Sequence, residues 1–291
     1  DAFGVTVTDS RLIFGNNVLD IGQINNAGCF NVDGIKAYFI ARDYYVDVYR
    51  FSKLDLRLNY KGVCVLYQTS EAPGSFYKRY IEDVVYFLEK QGAVMLPGHM
   101  LLKAHHNKIF MEFWRSGFGD ESLKTLKSWC YGSWSDAINF DAGFPVVIKQ
   151  ASGSGGAGVF LANTRKEFNR KVKKAGNIVI ADSLIDLFIC YIKKLTKEII
   201  LYFAPEKSKR LEYDISPVSS SLIVQTFIPG LRGDYKVLFF GGKYYMMYRK
   251  NRENDFRASG SGSFFPVPEN EHEGILNFAQ RLTKEINFPI I

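Results

Sequence analysis

No apolar run in this sequence reaches the ~18 residues that a bilayer-spanning helix needs. The opening residues, DAFGVTVTDS, carry neither the basic cluster nor the apolar stretch of a secretory leader. A cytoplasmic chain without a membrane partner is therefore expected. Cysteine is scarce: Cys29, Cys64, Cys130 and Cys190 lie far apart, with no CxxC pair and no spacing of a zinc site or disulfide framework. Reduced, mostly buried thiols follow. His105 and His106 have neither glutamate nor cysteine at ligand spacing, which argues against a metal role for them.

What is present is a sizeable apolar inventory. At 291 residues and 47% hydrophobic composition, the chain has enough material for two or three packed layers, and a disordered or fibrous protein is excluded. The net charge of +7 is concentrated in TRKEFNRKVKK and EKSKR. The first reads as a solvated helix face and the second as a surface loop. The 17 tyrosines and 24 phenylalanines sit at core-like spacing and are not interleaved with the basic residues, so no nucleic-acid partner is expected. A modest positive excess equally suits a polyphosphate and an acidic substrate.

The α/β and α+β character is legible in the order of the runs. GVCVLY (62–67) reads as a buried strand, QTSEAPGS as a turn, and FYKRYIEDVVYFLEKQ as a helix with Tyr77, Tyr80, Ile81, Val84, Val85 and Leu88 at helical spacing. Gly92 closes that helix and AVML begins the next strand, completing a unit of the kind that builds parallel sheets. Ligands on such sheets lie beyond the strand ends, here Gln68 to Ser75, so Gln68, Ser70, Glu71 and the helix-start Lys78 are candidate substrate-binding residues. In the first sixty residues AYFIA and VDVYRF are strand-like.

The most informative stretch is FPVVIKQASGSGGAGVFLANTRKEF, residues 144–168. PVVIK is a β-branched strand whose terminal lysine, Lys149, carries its ammonium to the sheet edge. SGSGGAG offers backbone N–H groups unobstructed by side chains, able to close over a phosphate chain. VFLA then returns as the second strand of a hairpin, so the loop is a flap between strands. A P-loop would place its lysine after the glycines, and a dinucleotide fingerprint would open a helix; neither occurs here.

Further on comes LIVQTFIPGLRGDYKVLFFGGKYYMMYRKNRENDFRASGSGSF, an apolar strand, a hinge, a strand pair joined by GG, a charged stretch and a second small-residue loop. Together with Lys108 in HHNKIFMEFW, this order resembles the ATP-grasp superfamily, especially the RimK-like glutamate ligase branch, over about Lys108 to Ile291. The resemblance implies an ATP-grasp fold, two lobes sandwiching ATP, preceded by an N-terminal α/β domain. It places that domain at 1–104, the central lobe with its flap at 105–222 and the C-terminal lobe at 223–291.

It also implies residue roles. Lys108 and Lys149 would neutralise the α- and β-phosphates, and a flap including Ser152, Gly153, Ser154, Gly155 and Gly156 would cover the β- and γ-phosphates. The hinge Gln225, Thr226, Phe227 and Ile228 would read adenine. The family often has glutamate at the hinge start; Gln225 can still accept from the exocyclic amine. Asp234, Lys236, Arg249 and Arg257 would surround the transferring phosphoryl group and the acceptor carboxylate, with Ser259, Gly260 and Ser261 holding acceptor or γ-phosphate. The implied activity is an ATP-dependent, ADP-forming carboxylate–amine ligase working through an acylphosphate. A small-molecule kinase and a nucleotide-binding module without turnover are the alternatives. Its substrates would be small-molecule, peptide or glycan-linked acids and amines, and a homodimer is one allowed assembly. Magnesium is the implied metal. ENEHEGILNFAQRLTKEI would be the helix preceding the metal-bearing strands, with Ile275, Phe278, Ala279 and Leu282 on one face. NFPII would start the first of those strands, so the ligands are expected after Ile291 in a continuing chain, an aspartate first and then a glutamate and an asparagine. The absence of an initiating methionine at Asp1 fits a fragment.

Overall fold

The computed structural model describes residues 11–15, 31–67, 76–153, 156, 158–176, 188, 191–192, 195–196 and 221–288. Gln68, Ser70, Glu71, Ser154, Gly155, EKSKR, Cys29, Cys190 and Pro289 to Ile291 lie outside them. The chain forms two compact units, one of residues 1–105, 234–250 and 263–291, the other of residues 106–233 and 251–262. Among the described residues, no helix is long and apolar enough to cross a membrane.

The first unit contains a parallel sheet of β1 (Arg11–Gly15), β2 (Tyr45–Tyr49), β3 (Cys64–Tyr67) and β4 (Val94–Leu96), in the order β2-β1-β3-β4. The expected strand, helix, strand unit is β3, α2 (Phe76–Lys90) and β4, with parallel pairing of Val65 to Met95. Ile81, Val85 and Leu88 of α2 are buried with Val63, Val65, Tyr67 and Met95, because the i, i+4, i+7 spacing turns them all to the sheet. Tyr80 departs from the expected face and is 37% exposed. Gly92 takes a φ of 87° where α2 stops, a conformation open to glycine at little cost.

AYFIA is not a strand. Its first four residues end α1 (Val32–Ile40), capped by Asn31, whose side chain accepts from the N–H of Gly34 at 2.9 Å, with Asp33 in the first turn. Ile35 and Phe39, one turn apart, pack toward Val46, and a short apolar run does not by itself distinguish strand from helix. VDVYRF does contribute a strand, β2.

The same unit contains the hairpin β9 (Gly233–Phe240) and β10 (Lys243–Lys250), turned at Gly241 and Gly242 with φ of 54° and 84°. These positive values at both turn residues are what a tight hairpin demands. β11 (Phe264–Phe265) adds antiparallel to β10, and α7 (Glu269–Ile286) packs through Ala279 and a 2.6 Å hydrogen bond between the hydroxyls of Tyr244 and Thr283. α7 coincides with the expected helix, although Phe278 is 45% exposed while Ala279 beside it is buried.

The second unit is built on an antiparallel sheet of β5 (Ser128–Tyr131), β8 (Leu222–Thr226), β6 (Val146–Gln150) and β7 (Val159–Ala162), in the order β5-β8-β6-β7. Alternation along each strand divides its residues between two faces. Val146, Ile148, Ala162, Leu222 and Val224 pack with Phe168, Val172 and Ala175 of α6 (Arg165–Gly176) and Ala137 of the short α5 (Trp134–Ala137). The residues of the opposite face begin the functional site.

Candidate functional site

The register across β5, β8 and β6 pairs Ser128 with Gln225, Gln225 with Val147, and Cys130 and Lys149 with Ile223. These residues share the face turned away from the α6 core, so two polar groups and one lysine stand among apolar neighbours. Helix α4 (Lys108–Ser116) contacts β8. Its start is fixed twice: Asn107 Oδ1 accepts from the N–H groups of Ile109 and Phe110, both at 3.1 Å, and the Lys108 N–H donates to the Ala151 carbonyl at 2.8 Å. The second bond ties the first helical turn to the root of the flap.

Lys108 and Lys149 are brought close enough to feel one another. Burial and then the nearby Lys149 ammonium push the Lys108 pKa below the usual lysine range. Burial likewise lowers that of Lys149, opposed by the charge of Glu112. Lys108 Nζ donates to the Gly153 carbonyl of the flap at 2.8 Å. Among the described residues, the Lys149 ammonium has no hydrogen-bond or ion-pair partner. Two desolvated cations with no carboxylate bound to them form a site suited to an anion.

The flap is held from a second side. Arg257 Nη1 donates to the Gly156 carbonyl at 2.9 Å and is 3.4 Å from that of Val159, while its Nε donates to both oxygens of Asp255. Arg252 Nη2 donates to the Ser259 carbonyl at 2.6 Å, and a Cβ on Gly156 would lie 3.4 Å from that same carbonyl. The loop of Ser259, Gly260 and Ser261 therefore runs against the flap at Gly156, which has a φ of 76°. The ring of Phe256 meets that of Phe227 edge-on at 6.1 Å, placing the DFR stretch beside the hinge.

At the hinge, Gln225 is 4% exposed. Its Nε2 donates to Ser128 Oγ at 2.9 Å and Glu112 Oε1 at 3.2 Å, and its Oε1 is buried without a partner among the described residues. An unmatched buried acceptor costs ~1–3 kcal/mol, which a donor on a bound molecule would recover. The N–H groups of Thr226 and Phe227 go to the carbonyls of Lys127 and Pro145, and Ile228 is exposed.

Glu112 and Ser128 are residues that sequence reasoning missed. The signal was available in α4, where Lys108, Glu112 and Arg115 fall at i, i+4 and i+7 on one face. The burial inverts the usual pattern, with Glu112 buried and Phe113 61% exposed. Glu112 is paired with Arg115, whose guanidinium also donates to the carbonyls of Leu123 and Leu126, each at 3.0 Å. Glu112 and Ser128 also line a cavity of about 520 Å³ beside β5. Neither Lys108 nor Lys149 belongs to its walls.

Asp234, Lys236 and Arg249 belong to the β9–β10 hairpin of the other unit. Arg249 grips Asp234 with two bonds, 2.8 and 2.6 Å, which raises the guanidinium pKa further. Lys236 is exposed. Lys78 is 7% exposed in the first turn of α2. The magnesium implied by the resemblance finds no donor set here: among the described residues no three His, Cys, Asp or Glu side chains gather, and Asp234, Asp255 and Glu112 are each bound to an arginine.

Residues 133–200 match the family model described as carbamoyl-phosphate synthase L chain, ATP binding domain. No curated protein sequence matches the chain. Among solved structures it is similar to a RimK domain protein ATP-grasp from Sphaerobacter thermophilus, 11% identical, over 96% of this chain and 83% of that one, with a TM-score of 0.51. It is also similar to D-alanyl-alanine synthetase A from Vibrio cholerae, 12% identical, over 98% of this chain and 83% of that one, with a TM-score of 0.48.

Proposed function

The chain has the ATP-grasp fold, and on that premise we propose that it is an ATP-dependent ligase joining a carboxylate to an amine, with ADP and phosphate released. The observation that carries the proposal is the pairing of Lys108 and Lys149 at the root of a glycine-rich flap, desolvated and, among the described residues, without a bound carboxylate. A triphosphate supplies the missing negative charge, and charge-assisted contacts in a low-dielectric site are strong.

In this reading the two ammonium groups hold the α- and β-phosphates, and the flap N–H groups cover the β,γ end and exclude water. Gln225 Oε1 receives the exocyclic amine of adenine. A carboxylate oxygen then attacks the γ-phosphorus as the bond to the β,γ-bridging oxygen breaks, giving acylphosphate and ADP. An amine attacks the acyl carbon, phosphate leaves with the bond's electron pair, and the nitrogen loses a proton to solvent. No protein nucleophile is required; the protein contributes position and charge. Parts in this reaction for Lys236, Arg249 and the 259–261 loop are proposed from the resemblance, and a part for Lys78 in acceptor binding is proposed from its place at the start of the helix that follows β3.

ADP release measured against a panel of amino acids and sugar acids, with hydroxylamine present, tests the reading. Acid-dependent ADP release with hydroxamate formation is expected. ADP release driven by hydroxyl acceptors without hydroxamate would replace the ligase with a small-molecule kinase, and ATP binding without release would leave a binding module.

A further inference from the structure

A carboxamide presents two nearly isosteric ends, a donor and an acceptor, and it recognises a ligand group only if something fixes which end faces that group. In Gln225 the choice is made by Glu112. Its buried carboxylate, paired with Arg115, only accepts, so the amide turns its Nε2 toward Glu112 Oε1 at 3.2 Å. Ser128 Oγ, 2.9 Å from the same nitrogen, serves as donor or acceptor and leaves the choice open. The amide is planar, so fixing Nε2 on the Glu112 side makes Oε1 the opposite end, and that atom is buried with no partner among the described residues.

We propose that Glu112 is a positioning residue for nucleotide selection: by holding Nε2 of Gln225 it presents Oε1 as an acceptor and gives the site a preference for a purine nucleotide with a 6-amino group. The inference rests on the ATP-binding reading above and deepens it. Glu112 itself touches no substrate. Replacing its carboxylate by an amide lets Gln225 bond in either orientation, so Oε1 no longer has to face the ligand. The same change removes the negative charge that favours the Lys149 ammonium. That effect falls on the phosphates, which every nucleoside triphosphate shares, and cancels in a ratio of two nucleotides.

Calorimetric titration of the full chain with ATP and with purine riboside triphosphate, which lacks only the 6-amino group, separates these effects. The wild type is expected to prefer ATP about tenfold, the value of one well-placed hydrogen bond in a desolvated site. In Glu112→Gln the preference is expected to fall to about threefold or less, whatever happens to the two affinities together. A wild-type preference retained in Glu112→Gln overturns the inference, as does a wild type that binds ATP without any preference. A wild type that binds neither nucleotide defeats the ATP-binding reading itself and the inference with it. Should Glu112→Gln fail to fold, Glu112→Asp is measured the same way. Shortened by one methylene, its carboxylate loses Nε2 while keeping its charge, so the preference falls; an unchanged preference again overturns the proposal.

Discussion

A lysine taken out of water holds its proton less firmly, and Lys108 and Lys149 are both in that position. Their folded pKa values lie below the usual lysine range, so on the alkaline side the unfolded chain binds more protons than the folded one. There the stability of the ligand-free protein gains as pH rises from the folded pKa values toward the ordinary lysine value. A bound triphosphate reverses the balance by favouring both charges. ATP binding is therefore expected to take up protons and to weaken as the solution becomes alkaline, measured by calorimetry in buffers of different ionisation enthalpy. In Lys149→Arg the share of this dependence that belongs to Lys149 should vanish, because arginine stays charged, while the share of Lys108 remains. Proton release on binding, or an affinity that climbs with pH, would contradict the assignment. Both lysines were legible in the sequence, one at a strand end and one at a helix start. Glu112 was missed although it shares a helix face with Lys108 and Arg115, because in a helix rich in Phe, Met and Trp a lone glutamate reads as solvated. Only the approach of α4 to β8 shows that it faces Gln225.

The flap shows at the level of elements what the sequence could and could not reveal. The hairpin β6–β7 was legible because two apolar runs, the first β-branched, flank a loop of small residues, and the register pairs Lys149 with Val159. What holds that loop was not legible, since Arg257 lies about a hundred residues away in sequence. In the ligand-free protein Arg257 is engaged by Asp255 and by the carbonyls of Gly156 and Val159, and these contacts make it a latch on the flap. Arg257→Ala is expected to lower amide-exchange protection around Gly156 and Val159 by about ten- to a hundredfold, the loss of ~1.5–3 kcal/mol for bonds from a charged donor, and to leave the α6 core unchanged. Unaltered exchange would mean that the latch carries no energy. α1 is the element that misled the sequence reading. AYFI looks extended as a run, and the Asn31 cap together with the turn-spaced Ile35 and Phe39 decided for a helix.

For the whole molecule, the order of motifs along the chain was the legible quantity, and it pointed to the ATP-grasp fold that the likeness to a solved structure shows. Which segments share a compact unit was not readable. The β9–β10 hairpin and α7 belong with residues 1–105, from which they are distant in sequence. One reason is local: a Cβ on Gly98 would lie 3.0 Å from the ring of Phe288, so the residue just past α7 seats against the start of α3 (His99–His106). The positive charge of the chain, +7 overall, says little about where an anion binds. Desolvation of Lys108 and Lys149 beside a glycine-rich flap says much more. The central claim is that these two lysines hold the phosphates of ATP, and the most direct measurement is an ATP titration by calorimetry of the wild type and of folded Lys149→Ala. The expected loss is about ten- to a hundredfold in affinity, ~1.5–3 kcal/mol for a charge-assisted contact to phosphate. Equal affinity in the two proteins would contradict it.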